Sequence, residues 1–250
     1  MANEISLKFG SLTFDSITTI TDIKLSHKKS PRLSEIPKMG GSAAEVALLK
    51  SIAISIEGDI YGADYDTKRT NLDTLKAAFN NGIQKFTKDD DRYIMAQLDN
   101  LDDEDILLRN LSHWRATLIA HYPFWISETE HTDDRVPTSG VGYTITNNGN
   151  APARVKIEIT APAGGISDAI KIENQTNGQS FQYRGNVAAA EVLEVDNRYD
   201  TDDFQVLNDG ADAIVDYEGD FIELDPGENT IVFTGTAGAA VKIYHRDTWY

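Results

Sequence analysis

The residues of this chain best suited to chemistry are two acidic runs. LDNLDDEDILL, Leu98 to Leu108, sets Asp102, Asp103, Glu104 and Asp105 side by side, and DNRYDTDD, Asp196 to Asp203, adds four more aspartates. Carboxylates held close can split their pKa values and divide acid from base work, while oxygen-rich loops suit hard cations such as calcium. Arg198 and Thr201 stand where a calcium loop of the EF-hand type needs an oxygen at its third place and a glycine at its sixth. The second run therefore reads as a solvated turn between strands. Adjacency along LDDED does not make its acids converge, so it reads as a solvated outer loop.

The five histidines are His27, His113, His121, His131 and His245. On one strand face, His113 and His121 would lie roughly 27 Å apart, at about 3.3 to 3.4 Å per residue, too far to share a metal. No G-x-S-x-G elbow, H-E-x-x-H helix, P-loop or dinucleotide fingerprint occurs. With no cysteine there are no disulfides, zinc thiolates or thiol nucleophiles. The chain reads as a non-enzyme that needs no cofactor or metal.

Aromatic residues offer the remaining chemistry. ATLIAHYPFWISETEH, Ala116 to His131, gathers Tyr122, Phe124 and Trp125 about Pro123. Trp114, Ala116, Leu118, Ala120 and Tyr122 fall on one strand face, and Pro123 withholds the next ladder donor. Phe124 and Trp125 are expected to seal the rim of a first core, one of them almost fully buried. Tyr244, Trp249 and Tyr250 form a second group, either a platform for sugar rings or ordinary packing between sheets and over an edge.

Strands must position these groups. Ile5, Leu7 and Phe9, then Ile52, Ile54 and Ile56, alternate as half-buried strands do. Leu72, Leu75, Ala78 and Phe79 predict a helix over about Thr67 to Asn81, capped by Asp66 or Thr67 and followed by Gly82. The stretch from Ser26 to Lys50 carries two prolines and a Gly pair without periodicity and reads as an irregular connection. From Val141 onward the strand candidates VGYTIT, ARVKIEIT, VLEV, FQVL, AIVDY, FIEL, NTIVF and AVKIYHR are punctuated by turns, which suggests a two-sheet sandwich. ETEHTDDRVPTSG reads as a linker. The expected organisation is a first domain over 1–127, a linker over 128–138 and a β-sandwich over 139–250.

A length of 250 residues allows two ordinary domains. The net charge of −17 argues against tight contact with phosphate backbones. Pro137 to Tyr250 holds seven Lys and Arg against 18 Asp and Glu, so the distal part is the more acidic. MANEISLKFG does not read as a secretory signal, and no apolar run approaches the roughly 20 residues of a membrane span. The expectation is a protein made in the cytoplasm.

In order along the chain, IEGDIYG, the helix TNLDTLKAAFNNG, HWRATLIAHYPFW, NNGNAPARVKIEI, LEVD, FIELDPGENTIVF and the terminal IYHRDTWY resemble the distal tail protein (Dit) family of long-tailed bacteriophages. The resemblance implies a mainly β chain, with an N-terminal tail-tube-like β-sandwich or barrel flanked by one helix and a C-terminal galectin-like sandwich. It also implies a virion protein of the tail tip, a homo-hexameric ring joining the tail tube protein to the tail-tip hub. Receptor-binding or side-fibre proteins dock outside, and DNA transits the lumen without specific binding. On that reading Leu33, Ile36, Met39, Val46 and Leu48 suit an oligomer or tube interface, and Asp102, Asp103, Glu104 and Asp105 are candidate lumen acids. The alternative is a carbohydrate-binding module that uses aromatics of the second domain for host-surface attachment.

Overall fold

The computed structural model describes residues 7–29, 33–35, 42–44, 49–89, 91–106, 110–199 and 204–250. The chain divides into two compact units, Met1–Pro123 and Phe124–Tyr250. The strands of the first are β1 (Lys8–Phe9), β2 (Leu12–Thr13), β3 (Thr19–Lys29), β4 (Leu33–Glu35), β5 (Ser42–Ala44), β6 (Leu49–Tyr61), β7 (Gln84–Asp89), β8 (Arg92–Ile106) and β9 (Leu111–Ala120), with α1 (Tyr65–Phe79) between β6 and β7. An antiparallel sheet runs β2-β1-β7-β8-β9-β6-β3. Among the described residues no helix is long and apolar enough to cross a membrane.

Alternation sorts this sheet into two faces. Ile52, Ile54, Ile56 and Ile60 of β6 and Trp114, Ala116, Leu118 and Ala120 of β9 are all buried, and the register sets Ile54 against Leu118 and Ile56 against Ala116. Leu72, Leu75 and Phe79 of α1 are buried too, and Phe79, Phe9, Phe14 and Trp114 form one ring cluster with centroid spacings of 5.3 to 6.0 Å. Trp114 fits because its partner is Gly58, where a Cβ would stand 3.0 Å from the indole and 2.8 Å from the Thr19 carbonyl. The indole N–H donates to Thr18 Oγ1 at 2.8 Å, which donates in turn to the Asp59 carbonyl.

The helix begins before its expected start, because the cap is Asp64 rather than Asp66 or Thr67. The Asp64 carboxylate accepts from the Thr67 N–H at 2.8 Å, and that bond holds its pKa below the usual value. Gly82, with φ +75°, lies two residues past the Asn80 cap in the left-handed region that a glycine tolerates. The supposed irregular connection is partly regular: β3 continues to Lys29, β4 and β5 pair as a hairpin, and β6 starts at Leu49.

The second unit contains β10 (Trp125–Ser127), β11 (His131–Arg135), β12 (Gly142–Asn147), β13 (Ala153–Thr160), β14 (Ile170–Asn174), β15 (Gln179–Tyr183), β16 (Val192–Asp196), β17 (Gln205–Asn208), β18 (Ala211–Asp212), β19 (Tyr217–Gly219), β20 (Glu223–Leu224), β21 (Gly227–Thr234), β22 (Ala240–His245) and β23 (Thr248–Trp249). One sheet runs β11-β22-β13-β16-β17-β18 with β20 beside β13, the other β12-β21-β14-β15-β19. Ile157, Ile159, Leu193 and Ile243 from the first bury with Ile172, Phe181, Ile231 and Phe233 from the second. Three expectations are corrected. The proposed linker holds β11, an edge strand on β22. AIVDY is not a strand, since Ile214–Asp216 is a 3-10 turn before β19. Strands β14 and β15 were not expected, because IKIEN and QSFQY are short and each brings only two apolar side chains to its buried face, Ile170 and Ile172, and Phe181 and Tyr183.

Buried asparagines lock the connections. Asn147 donates to the carbonyls of Ala151 and Leu224 and accepts from the Gly149 N–H, while Asn229 accepts from the Asp225 N–H and donates to the Asp225 and Gly227 carbonyls. Gly149 lies so close to β23 that a Cβ would stand 1.9 Å from the Thr248 carbonyl oxygen. Asn147→Ala strips a buried amide from two carbonyls and one N–H, and is expected to lower stability by about 2 to 3 kcal/mol. Asn100→Ala, at an exposed hydrogen bond to Asp102, is expected to change it by less than about 0.5 kcal/mol. Denaturant unfolding of both variants checks the pair.

Candidate functional site

The face of β6, β8 and β9 turned away from α1 collects the charges that the core excludes. Arg115 stands opposite Glu57 on one side and Asp102 on the other, and His113 likewise between Asp59 and Glu104. On β3, Asp22 pairs in register with Glu57. Arg115 reaches Glu57 at 2.7 Å, His113 Nδ1 lies 2.8 Å from Asp59 Oδ1, and Lys24 lies 2.6 Å from Asp22, whose carboxyl it holds below the usual pKa. Asp102, Asp103, Glu104, His113 and Arg115 line a recess of about 200 Å³. The carboxylates Asp22, Glu57, Asp59, Asp102 and Glu104 outnumber the cations Lys24 and Arg115, so the face is net negative.

The acidic run LDDED is therefore divided, and it is strand rather than outer loop. Asp102 and Glu104 belong to the charged face. Asp103 lies opposite Trp114 on the helix side and pairs with Lys76 of α1 at 3.0 Å. Asp105 is paired with Ser112 in the ladder; its side chain is outside the described part. Of the other candidates, Leu33 lies in β4 opposite Ala44, and Ile36, Met39, Val46 and Leu48 fall outside the described residues.

Neither Phe124 nor Trp125 of HYPFW is almost fully buried. Tyr122 is exposed, Phe124 and Trp125 are half-buried, and the buried residues are Pro123 and, just after the run, Ile126. Phe124 instead packs on Tyr199 and Tyr250 with centroids 5.5 Å away, and Trp125 pairs in β10 with Trp249 of β23. Strand β9 ends at Ala120, so its alternation cannot carry Tyr122 into the core. Tyr244 donates to Glu158 at 2.8 Å on the face of its sheet. In the second acidic run, Asp196 is buried and bonded to the Arg198 guanidinium at 2.8 Å, which is why an arginine occupies that place.

Sequence reasoning missed a histidine pair. His131 and His245 are register partners on β11 and β22, their rings 5.2 Å apart and stacked. His131 Nε2 lies 3.2 Å from Asp247 Oδ2, and His245 Nε2 donates to the Thr146 carbonyl at 3.1 Å. Among the described residues its buried Nδ1 has no hydrogen-bond partner. Burial pushes the His245 pKa down, the neighbouring His131 adding to the effect. The signal was out of reach, since the residues are 114 positions apart.

Comparison with known proteins adds to this geometry. Residues 148–249 match the family described as siphovirus-type tail component, C-terminal domain. The whole chain is similar in fold to the crystal structure of SPP1 Dit (gp 19.1), described as a paradigm of hub adsorption apparatus in phages infecting Gram-positive hosts: the TM-score is 0.77 at 10% identity, covering 99% of this chain and 100% of that one. A chain of the phage P2 baseplate in its activated conformation with calcium is more distant, with TM-score 0.52 at 8% identity over 97% of this chain and 91% of that one. No curated protein is significantly similar in sequence. The family match covers most of the second unit, and the full-length likeness is one of fold, mainly β as in SPP1 Dit.

The buried His245 makes stability depend on pH. Its folded pKa lies below the unfolded value of about 6.5, so below that value the unfolded chain binds a proton that the folded chain refuses. Stability is full above the unfolded pKa and is lost as pH falls toward the folded one. Thermal melts at pH 7.5 and 5.5 are expected to show a drop in midpoint that shrinks in His245→Gln; an equal drop in both proteins assigns the loss to other groups.

Proposed function

We propose that this chain is a structural part of a bacteriophage tail tip, not an enzyme, and that six copies close into a ring joining the tail tube to the tail-tip proteins. The observation that carries the proposal is the likeness of the whole chain, end to end, to a protein described as a hub of the adsorption apparatus. The first unit forms the ring wall, and the second carries peripheral partners. Strand β3 favours ring closure: eleven residues long, it ends the sheet order of the first unit, and a long strand edge is a template for pairing with another chain. Leu33, Ile36, Met39, Val46 and Leu48, from the stretch Pro31 to Leu49, contact a neighbour or the tube in this proposal.

The charged face of β6, β8 and β9 lines the channel in this proposal. A net negative wall repels phosphates and prevents DNA from sticking in transit. Asp102 and Glu104 are the channel acids of the LDDED run, while Asp103 serves the helix contact. A site for catalysis needs convergent groups with divergent pKa values. Here the acids are instead spread along strands and matched with Arg115, His113 and Lys24.

Electron microscopy with a solution mass is expected to find six-fold rings with a central channel, alone or on addition of the tube protein; a defined assembly of other symmetry counts against the ring. In phage carrying Asp102→Asn with Glu104→Gln, DNA ejection is expected to slow, and unchanged kinetics would remove the lumen role. Limited proteolysis between Pro31 and Leu49 is expected in the monomer and suppressed in the ring, with equal cutting in both excluding an interface there.

A further inference from the structure

The second unit carries an acidic region of a different kind. From Tyr199 to Val241 the chain contains eleven Asp and Glu and no Lys, Arg or His. Its described residues form β17, β18, the 3-10 turn, β19, β20 and β21, and so include β18 and β19, the last strands of the two sheet orders. Asp209, Asp212, Asp216, Glu218 and Asp220 are all exposed.

Within that acidic margin, aromatic rings run from the core to the surface. Phe181, 1% exposed, stacks on Tyr217 at 5.1 Å; Tyr217 stacks on Phe221 at 5.0 Å; and Phe221 stacks on Phe204 at 4.8 Å. Phe204 is 52% exposed, and Ile214 and Val215, in the turn leading into Tyr217, are 46% and 87% exposed. Single exposed apolar residues need no explanation, whereas a contiguous apolar patch rimmed by polar groups marks an interaction surface. Rigid aromatic anchors are the residues that interface cores favour.

The surroundings state the chemistry of the occupant. The Arg154 guanidinium already stacks over Phe204 at 5.2 Å and over Tyr199 at 4.5 Å while its Nε donates to Glu223 at 3.3 Å, and Arg184 is held by Glu218 at 2.6 Å. A flat cation between a ring and a carboxylate is thus an arrangement this margin makes for itself. Among the described residues no group of three or more His, Cys, Asp and Glu could hold a metal ion. Acids dispersed around ring faces suit several guanidinium groups on a chain better than one point charge.

We propose that the Phe204, Phe221 and Tyr217 face, with Ile214 and Val215 and the rim acids Asp212, Asp216 and Asp220, is a docking surface for an arginine-bearing peptide segment of a partner protein. Arginines of that segment pair with the rim acids beside the exposed Phe204, while its aliphatic residues cover Ile214 and Val215. The inference rests on the tail-tip reading for the existence of a partner. The surface is nonetheless testable without a ring.

The test uses the full-length chain and fluorescent heptapeptides alternating Arg with Leu, Lys with Leu, and Glu with Leu. Anisotropy titration is expected to show saturable binding of the Arg peptide, weaker binding of the Lys peptide and none of the Glu peptide. Phe204→Ser, Val215→Ser, and Asp216→Asn with Asp220→Asn are each expected to weaken the Arg peptide at least fivefold at unchanged melting temperature. Asp15→Asn with Asp168→Asn, an equal charge change at exposed sites elsewhere, is expected to leave it within twofold. Equal weakening by that control reduces the effect to net charge and overturns the proposal, as does indifference to Phe204→Ser. Binding of an oligosaccharide panel that is lost in Phe204→Ser would reassign the face to sugars, and a lower sedimentation mass for Phe204→Ser would reassign it to a second copy of this chain. Failure of ring formation with the peptide result intact leaves this inference standing and removes only the ring.

Discussion

A β-strand offers each residue one of two faces, and in the first unit that constraint ties the core to the charged surface. Trp114 stands between Gly58 and Asp103, and one residue on, Arg115 stands between Glu57 and Asp102. A slip of β9 by one residue would drive Arg115 and His113 into the ring cluster of Phe9, Phe14 and Phe79 and leave the indole in water. Stranding such charges in an apolar interior costs several kcal/mol each. The aromatic cluster therefore sets the register that presents the charges, and the charged face inherits its geometry from the core.

The second unit faces another constraint. With no α-helix among its described residues, it must connect many short strands through turns whose polar backbone groups are partly shut away from water. Buried side-chain amides answer this demand, because each supplies both donors and an acceptor. Asn147 spans from its own turn to Leu224, Asn174 donates to Asn229 and to the Glu223 carbonyl, and Asn197 accepts from the Val155 N–H and donates to the Ile222 carbonyl. The Asn-x-Gly-Asn and Pro-Gly-x-Asn motifs along which the chain resembles a phage family are thus marks of architecture. They report how the sandwich is closed and carry no chemistry of their own.

Much of the fold was legible because its signals are local. The alternation of Ile52, Ile54 and Ile56, the helical spacing of Leu72, Leu75 and Phe79, and the strand of Val155, Ile157 and Ile159 each lie within a few residues. Errors arose where partners are distant. The Phe124 ring takes its place from Tyr199 and Tyr250, not from its neighbours, and β11 is a strand only because β22 lies beside it. Nothing in LDDED itself indicates that Asp102 and Asp103 face opposite ways. That follows from the ladder to Arg115 and Trp114, which joins residues about a dozen positions apart.

The two acidic regions differ in what accompanies the acids. On the first unit, Glu57, Asp59 and Asp22 each have a cationic or imidazole partner within the same face, so the surface is negative but largely satisfied. The margin from Tyr199 to Val241 has no basic residue of its own and adds exposed apolar side chains, Phe204, Ile214 and Val215. Mutual repulsion among its acids and the exposure of Phe204 and Val215 both oppose the folded state taken alone. Both are relieved by one event, the arrival of cations carried on an apolar chain. Acidity shared by two surfaces therefore has different consequences, according to whether the compensating charge is built into the fold or has to be brought to it.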